Sequence, residues 1–293
     1  MWQANHIKNV LEEHCEGLLV ELKMITTTGD KILDVPLAKI GGKGLFTKEL
    51  ENEMLAGKID LAVHSLKDMP TQLPEGLVLA AITKREDPRD AFVSNTYSSF
   101  NELPQGAKVG TSSLRRKAQL LNRRPDLDIH DLRGNVDTRL RKLVDEQFDA
   151  IILATAGLKR LGYQDKITQV LAEDICLPAV GQGALAIEAC ADNTEILQIL
   201  SVLEDKAARV QATAERAFLK TVEGGCQVPV GVHAVCQDEQ VTIKAIIASL
   251  DGELMLRQQT TGKAIEAESL GVALAQKMLA EGGRDIMAQL EGH

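Results

Sequence analysis

The sequence predicts a mixed α/β protein that carries a separate α+β module at its C-terminal end. Three observations lead there. The chain has 293 residues, room for two domains of about 150 residues or for three small ones. From near Pro88 a strand–loop–helix pattern repeats, and strands alternating with helices imply parallel βαβ units. The last segment differs, with strand patterns around 232–236, 241–249 and 252–260 and then a helix over about 266–281.

The elements follow in order. Trp2, His6, Val10 and His14 fall at helical spacing and predict a helix over 2–14. Val20, Leu22 and Met24 alternate with polar residues and predict a strand, and Thr26 to Asp30 reads as a turn. Gly41-Gly42-Lys43-Gly44 is a flexible loop opening a helix in which Phe46, Leu50 and Met54 recur every four residues, and Gly57 stops it. Asp60 to Ser65 is a short apolar run, read as a buried strand, and it ends in the loop Lys67-Asp68-Met69-Pro70. Leu77 to Ile82 is a further strand. In the second block Lys108 to Gly110, Asp128 to Leu132 and Phe148 to Ala154 are strands, each running through a short loop into a helix. Leu177 to Ala189 reads as a strand returning toward the first block. A helix to about Asp205 and a longer one through Phe218 follow, broken at Gly224-Gly225.

Composition excludes several classes of function. Lys plus Arg number 33 and Asp plus Glu 42, a formal charge of −9, so the chain lacks the broad basic surface of a general nucleic-acid or anionic-membrane binder. Aromatic residues make up only 3%, which argues against stacking platforms for single strands. Any polyanion must therefore sit in a local basic pocket. No apolar run reaches the roughly 18 residues of a membrane span, and the first residues lack the charged-then-apolar layout of a signal peptide. Five cysteines without a C-x-x-C pair suggest neither a disulfide framework nor a structural zinc site, and point to a reducing cytoplasm.

Cationic side chains cluster where strands end and helices begin. Gly110-Thr111-Ser112-Ser113-Leu114-Arg115-Arg116 offers free N–H groups, hydroxyls and two guanidinium forks, which suit an anion, and Arg133-Gly134-Asn135 with Arg139 repeats the arrangement one unit later. Lys39 and Lys43 flank the glycine loop, which lacks the Lys-Ser/Thr ending of a P-loop. The plain alternative is capping hydroxyls and solvated arginines. Several such sites at strand ends in an acidic protein favour binding, with phosphate and carboxylate left undistinguished. Asp68, just past a buried strand, could exchange a proton with a bound amine, although aspartate is also common in turns. His64 reads as a hydrogen-bonded core residue, and the opposite facing of neighbours on a strand argues against a Ser65/His64/Asp68 triad. Cys226 stands apart from Cys15, Cys176, Cys190 and Cys236 because Gly224-Gly225 places its thiol on a tight, accessible turn.

Seven strings, in order along the chain, closely resemble the porphobilinogen deaminase family. They are Pro36 to Phe46, Val63 to Pro70, Arg85 to Phe92, Gly110 to Arg116, Leu132 to Asn135, Leu177 to Gly183, and Glu223 to Pro229. The resemblance implies two lobes like those of type II periplasmic binding proteins with the active site between them, plus a small α+β domain. Its boundaries here would be 1–83 with 184–201, 89–177, and 206–293. It implies a transferase of tetrapyrrole (haem) biosynthesis that joins four porphobilinogens head to tail, releasing four ammonia, to give hydroxymethylbilane. The primer would be a dipyrromethane cofactor in thioether linkage to Cys226. Asp68 would be the catalytic aspartate, assisting proton transfer to the leaving amine and stabilising the cationic azafulvene and pyrrole intermediates.

By the same resemblance Lys43, Asp68, Thr111, Ser113, Arg115, Arg116, Arg133, Gly134, Arg139 and Gln182 would hold the cofactor. Ser65, Lys67, Arg133, Arg139 and Arg160 would hold substrate, with Arg85 a further candidate. A cytoplasmic monomer without catalytic metal, nucleic acid or membrane partner is expected. The family opens with a strand and an Arg-x-Ser-Pro-Leu-Ala-like loop. This sequence opens at Met1-Trp2-Gln3-Ala4, just after that loop, so the first lobe is expected to lack that strand. Two rival readings remain. One is a non-catalytic two-lobed anion-binding protein. The other is a cysteine hydrolase, for which His233 would be the only nearby base.

Overall fold

The computed structural model describes residues 1–31, 47–145, 147–222 and 228–289. In chain order its helices and strands are α1 (Trp2–His14), α2 (Thr28–Lys31), α3 (Lys48–Leu55), β1 (Leu61–Ser65), β2 (Leu77–Ile82), β3 (Asp90–Val93), β4 (Lys108–Gly110), α4 (Leu114–Arg123), β5 (Asp128–His130), α5 (Val136–Asp145), β6 (Ala150–Ala154), α6 (Thr155–Arg160), β7 (Gln169–Val170), β8 (Leu185–Cys190), α7 (Thr194–Leu200), α8 (Lys206–Thr221), β9 (Val230–Gln237), β10 (Gln240–Ala248), β11 (Met255–Lys263), α9 (Ala267–Met278) and α10 (Arg284–Ala288).

Three sheets organise these elements. The first has strand order β1-β8-β2, with both pairings antiparallel. Ile7 and Leu11, one helical turn apart on α1, pack on Ala81, Leu185 and Ile187 of this sheet. The second has order β5-β4-β6-β3-β7. Its β4–β5 and β4–β6 pairs are parallel, as the repeated strand–loop–helix pattern requires, whereas β3 pairs antiparallel with β6 and β7. The third is the antiparallel meander β11-β10-β9, which shares one core with α8 and α9 through Phe218, Val232, Ile243, Ile247, Leu274 and Met278. The fold is therefore α/β with two sheet-centred lobes and an α+β module.

Four sequence expectations change. Residues 20–24 form no strand, because α1 side chains take up the backbone of Val20 instead. Its N–H donates to Glu12 Oε1 at 2.8 Å, and Lys8 Nζ donates to its carbonyl. The expected turn at 26–30 runs into the single helical turn of α2. Strand β3, not anticipated, is fully buried between β6 and β7. The strand expected over 177–189 begins only at Leu185. Before it the chain must bend: Gly183 has φ +96°, and a Cβ there would lie 2.3 Å from Glu86 O. The loop expected at 41–44 and the break expected at Gly224-Gly225 lie outside the described residues.

Candidate active site

The first lobe delivers Lys67 and Asp68 on a 3₁₀ turn, Leu66–Asp68, that continues directly from β1. Leu66 is fully buried and its N–H donates to Ala184 O at 3.1 Å, so the turn is anchored to the segment entering β8. Asp68 is exposed. His64, on the opposite face of β1, is buried with Nε2 3.1 Å from Glu188 Oε2, the core role read from the sequence.

The second lobe supplies the cations. Ser113 caps α4, its Oγ accepting from the N–H of Arg116, and Thr111 Oγ1 accepts from the N–H of Ser113 at 3.2 Å. Both hydroxyls therefore perform the capping work of the plain alternative. Gly134 has φ +116°, and a Cβ there would meet Thr138 at 2.6 Å, so the turn needs glycine. The carbonyl of Gly134 accepts from Arg139 Nε at 2.8 Å.

Arg115 and Arg116 turn inward. Both are buried against Asp90, which is fully buried on β3. Arg115 Nη1 donates to Asp90 Oδ2 (2.7 Å) and Leu177 O (2.5 Å). Arg116 Nε and Nη2 donate to Asp90 Oδ1 at 3.0 and 2.6 Å, and its Nη1 donates to Ile152 O. Gln182 Nε2 bridges Asp90 Oδ1 and Pro88 O, which adds the crossover segment to the same hub. Burial opposes ionisation of Asp90, but the two guanidinium charges outweigh it and hold the carboxyl far below its usual range. Arg85, a further anchor candidate, is instead clamped on buried Glu215 (2.6 and 3.2 Å) and Gln182 O (2.8 Å), because a fully buried carboxylate needs a counter-charge.

The two lobes meet electrostatically. Burial lowers the pKa of Lys67; Asp68 opposes this, while Arg116 and Arg139 reinforce it. Arg139 falls to about 10, first through burial and then through Arg116 and Arg133, with Asp68 opposing. Lys67 and Asp68 of one lobe thus share a field with Arg116, Arg133 and Arg139 of the other. Next to this group lies a cavity of about 280 Å³, lined by Ser65, Lys67, Arg160 and Gln182 together with Trp2 and Gln3. Arg160 Nη2 donates to Gly183 O at 2.5 Å. Lys43 and Cys226 lie outside the described residues.

Two buried donors fit a multiply anionic ligand. Arg115 Nε and Arg133 Nη1 have no hydrogen-bond partner among the described residues. Arg116 and Arg133 add to the effect of burial on Arg139, and that excess of positive charge suits added negative charge.

Sequence comparison matches this architecture. The family model described as "Porphobilinogen deaminase, dipyromethane cofactor binding domain" matches residues 1–198, and the C-terminal domain model of the same family matches 210–280. The chain belongs to the porphobilinogen deaminase family. The porphobilinogen deaminase of Geobacter sulfurreducens is 52% identical over 290 residues, covering 99% of this chain and 91% of that protein. That of Nitratidesulfovibrio vulgaris is 53% identical over 292 residues, covering 99% and 93%. Among solved structures, the methionine-binding protein MetQ aligns over 67% of this chain and 83% of its own, with TM-score 0.42 and 18% identity.

The family resemblance read from the sequence placed carboxylate anchors on both lobes but assigned nothing to Asp90, Glu215, Trp2 or Gln3. Asp90 lies inside the matching string Arg85 to Phe92, on a strand that the local pattern does not reveal. An Asp directly before an apolar triplet, Ala91-Phe92-Val93, was the available signal.

Proposed function

We propose that this member of the porphobilinogen deaminase family joins four porphobilinogen molecules head to tail, with loss of four ammonia, to give hydroxymethylbilane on a dipyrromethane primer tethered through Cys226. One observation carries the reading. Asp68, a single exposed carboxylate, stands among Lys67, Arg116, Arg133 and Arg139 drawn from two lobes. Porphobilinogen carries an acetate and a propionate, so a growing chain of such units is a polycarboxylate and needs a surplus of cations. A primer bound here supplies the pyrrole end to which the first substrate is joined.

The chain's own residues divide the remaining work. Arg133, Arg139 and Lys43 hold the carboxylates of the cofactor, while Arg115, Arg116 and Gln182, fixed on Asp90, and Thr111, Ser113 and Gly134, which shape the turns, build the cationic wall around it. Lys67, Arg133, Arg139 and Arg160, with Ser65, orient the carboxylates of the substrate. Asp68 assists proton transfer to the departing amine. Its negative charge then faces the cation that develops on the substrate, an effect that contributes several kcal/mol in a partly dehydrated cleft. We assign 1–83 with 184–201 to the first lobe, 89–177 to the second and 206–293 to the C-terminal domain. The cysteine pattern supports a cytoplasmic location, and we take the protein to act as a monomer, which sedimentation will test.

Asp68→Asn is expected to retain the fold and the pyrrole mass on Cys226 while turnover falls by about 10²- to 10⁴-fold. Near-normal turnover would overturn the assignment. Cys226→Ser is expected to remove the thioether-linked mass from the intact chain. A wild-type chain that binds small carboxylates without ever carrying that mass would instead support the rival anion-binding reading.

A further inference from the structure

We propose that Trp2 is a positioning residue for Arg160, holding its guanidinium toward the cleft cavity from the opposite lobe. The proposal rests on the reading of Arg160 as a substrate-carboxylate anchor. Arg160 ends α6 in the second lobe, and burial lowers its pKa, with Glu86 only partly opposing. Glu86 itself is paired with Lys159 at 2.9 Å. Among the described residues no carboxylate lies within ion-pair distance of Arg160. What meets its guanidinium is a backbone carbonyl, Gly183 O at 2.5 Å, and the face of Trp2, whose ring centroid lies 5.9 Å from the guanidinium carbon. An aromatic face can compensate a partly dehydrated cation without neutralising it. That suits a group which must remain open to an incoming carboxylate.

The tryptophan is itself held in place. His6, one turn later on α1, stacks on it at 5.0 Å between ring centroids with 16° between planes. The neighbouring Gln3 fastens the helix start to the end of β1, its Nε2 donating to Ser65 Oγ at 2.8 Å. The first turn of α1 therefore bridges the cleft, with Gln3 on the first lobe and Trp2 on a cation of the second. Both residues line the same cavity as Ser65, Lys67 and Arg160.

Steady-state kinetics of the holoenzyme test this. Trp2→Leu is expected to raise KM for porphobilinogen about tenfold and leave kcat within about twofold, while Trp2→Phe recovers most of the loss. In an Arg160→Met background Trp2→Leu is expected to add nothing further. Trp2 is the only tryptophan, so its emission gives a second readout: it should shift on adding porphobilinogen to the wild type and in Arg160→Met without substrate. If Arg160→Met leaves KM unchanged, the anchor reading and the proposal fall together. If Arg160→Met raises KM but Trp2→Leu does not, or if the two effects multiply independently, the proposal alone falls. A merely structural Trp2 would lower the thermal midpoint, and its loss would show no coupling to Arg160.

Discussion

Asp90 accepts from Arg115, Arg116, Gln182 and Cys176, so residues from α4 and from the crossover that enters β8 converge on one fully buried carboxylate. Removing its charge would strand two buried guanidinium groups. Asp90→Asn is therefore expected to cost about 3–5 kcal/mol, read as a lower urea midpoint. Because the carboxyl is held below its usual range, its contribution is complete above the ordinary carboxylate pKa. It is lost only as pH falls through the lower folded value. Cys176, in the same cluster, is pushed up to about 12, chiefly by burial. Its thiol should resist alkylation by iodoacetamide at neutral pH in the native protein, and modification before unfolding would contradict the buried hub.

At the scale of elements, the turn before α5 and the docking of β9 and β10 make separate predictions. Gly134→Ala forces φ +116° on a residue with a side chain and drives its Cβ into Thr138. The expected loss is about 1–3 kcal/mol, together with a raised KM, because the acceptor of Arg139 Nε moves with the turn. Glu173, just before the crossover, accepts from His233 Nδ1 on β9 at 2.6 Å and from Lys244 Nζ on β10 at 2.7 Å. These bonds, led by that to His233, hold its carboxyl at about 2 against an ordinary 4.5. The carboxylate thus stabilises the docked sheet above pH 4.5, and the contribution fades as pH falls toward 2. Protection of β9 amides, corrected for the intrinsic pH dependence of exchange, should fall across that window in the wild type, with a smaller change in Glu173→Gln.

Across the whole molecule, the parts are tied by buried polar bonds at the crossovers. Glu215 of α8 accepts from Arg85, from Gly181 N at 2.7 Å and from Ala234 N at 2.8 Å, and so joins both crossover segments to the C-terminal sheet. A small apolar contact of Ala118, Leu177, Ile246 and Ala248 seats the same sheet on α4. Glu215→Ala is expected to cost about 3–5 kcal/mol, because Arg85 would be left buried without its partner. The loss should appear as a lower thermal midpoint for the whole chain, not for the C-terminal module alone.

Much of this was written locally. Helical spacing placed α1 over 2–14, the apolar run 77–82 read as β2, and the strand–loop–helix repeats indicated the parallel core of the second lobe. The motif strings pointed to the family, to Asp68 and to the cation-bearing turns, since glycines, capping hydroxyls and arginines act through their immediate neighbours. Tertiary structure alone decided which of those arginines serve a buried acid and which keep a donor unpaired among the described residues. Arg85 and Arg133 look alike in sequence, but Arg85 lies 130 residues from the glutamate that claims it, whereas a buried Arg133 nitrogen has no partner among the described residues. Residues 20–24 carry a strand's alternation, yet α1 takes up the backbone bonds of Val20. Hydrogen-bond partners and counter-charges are long-range quantities, and no local pattern encodes which distant group will arrive to satisfy them.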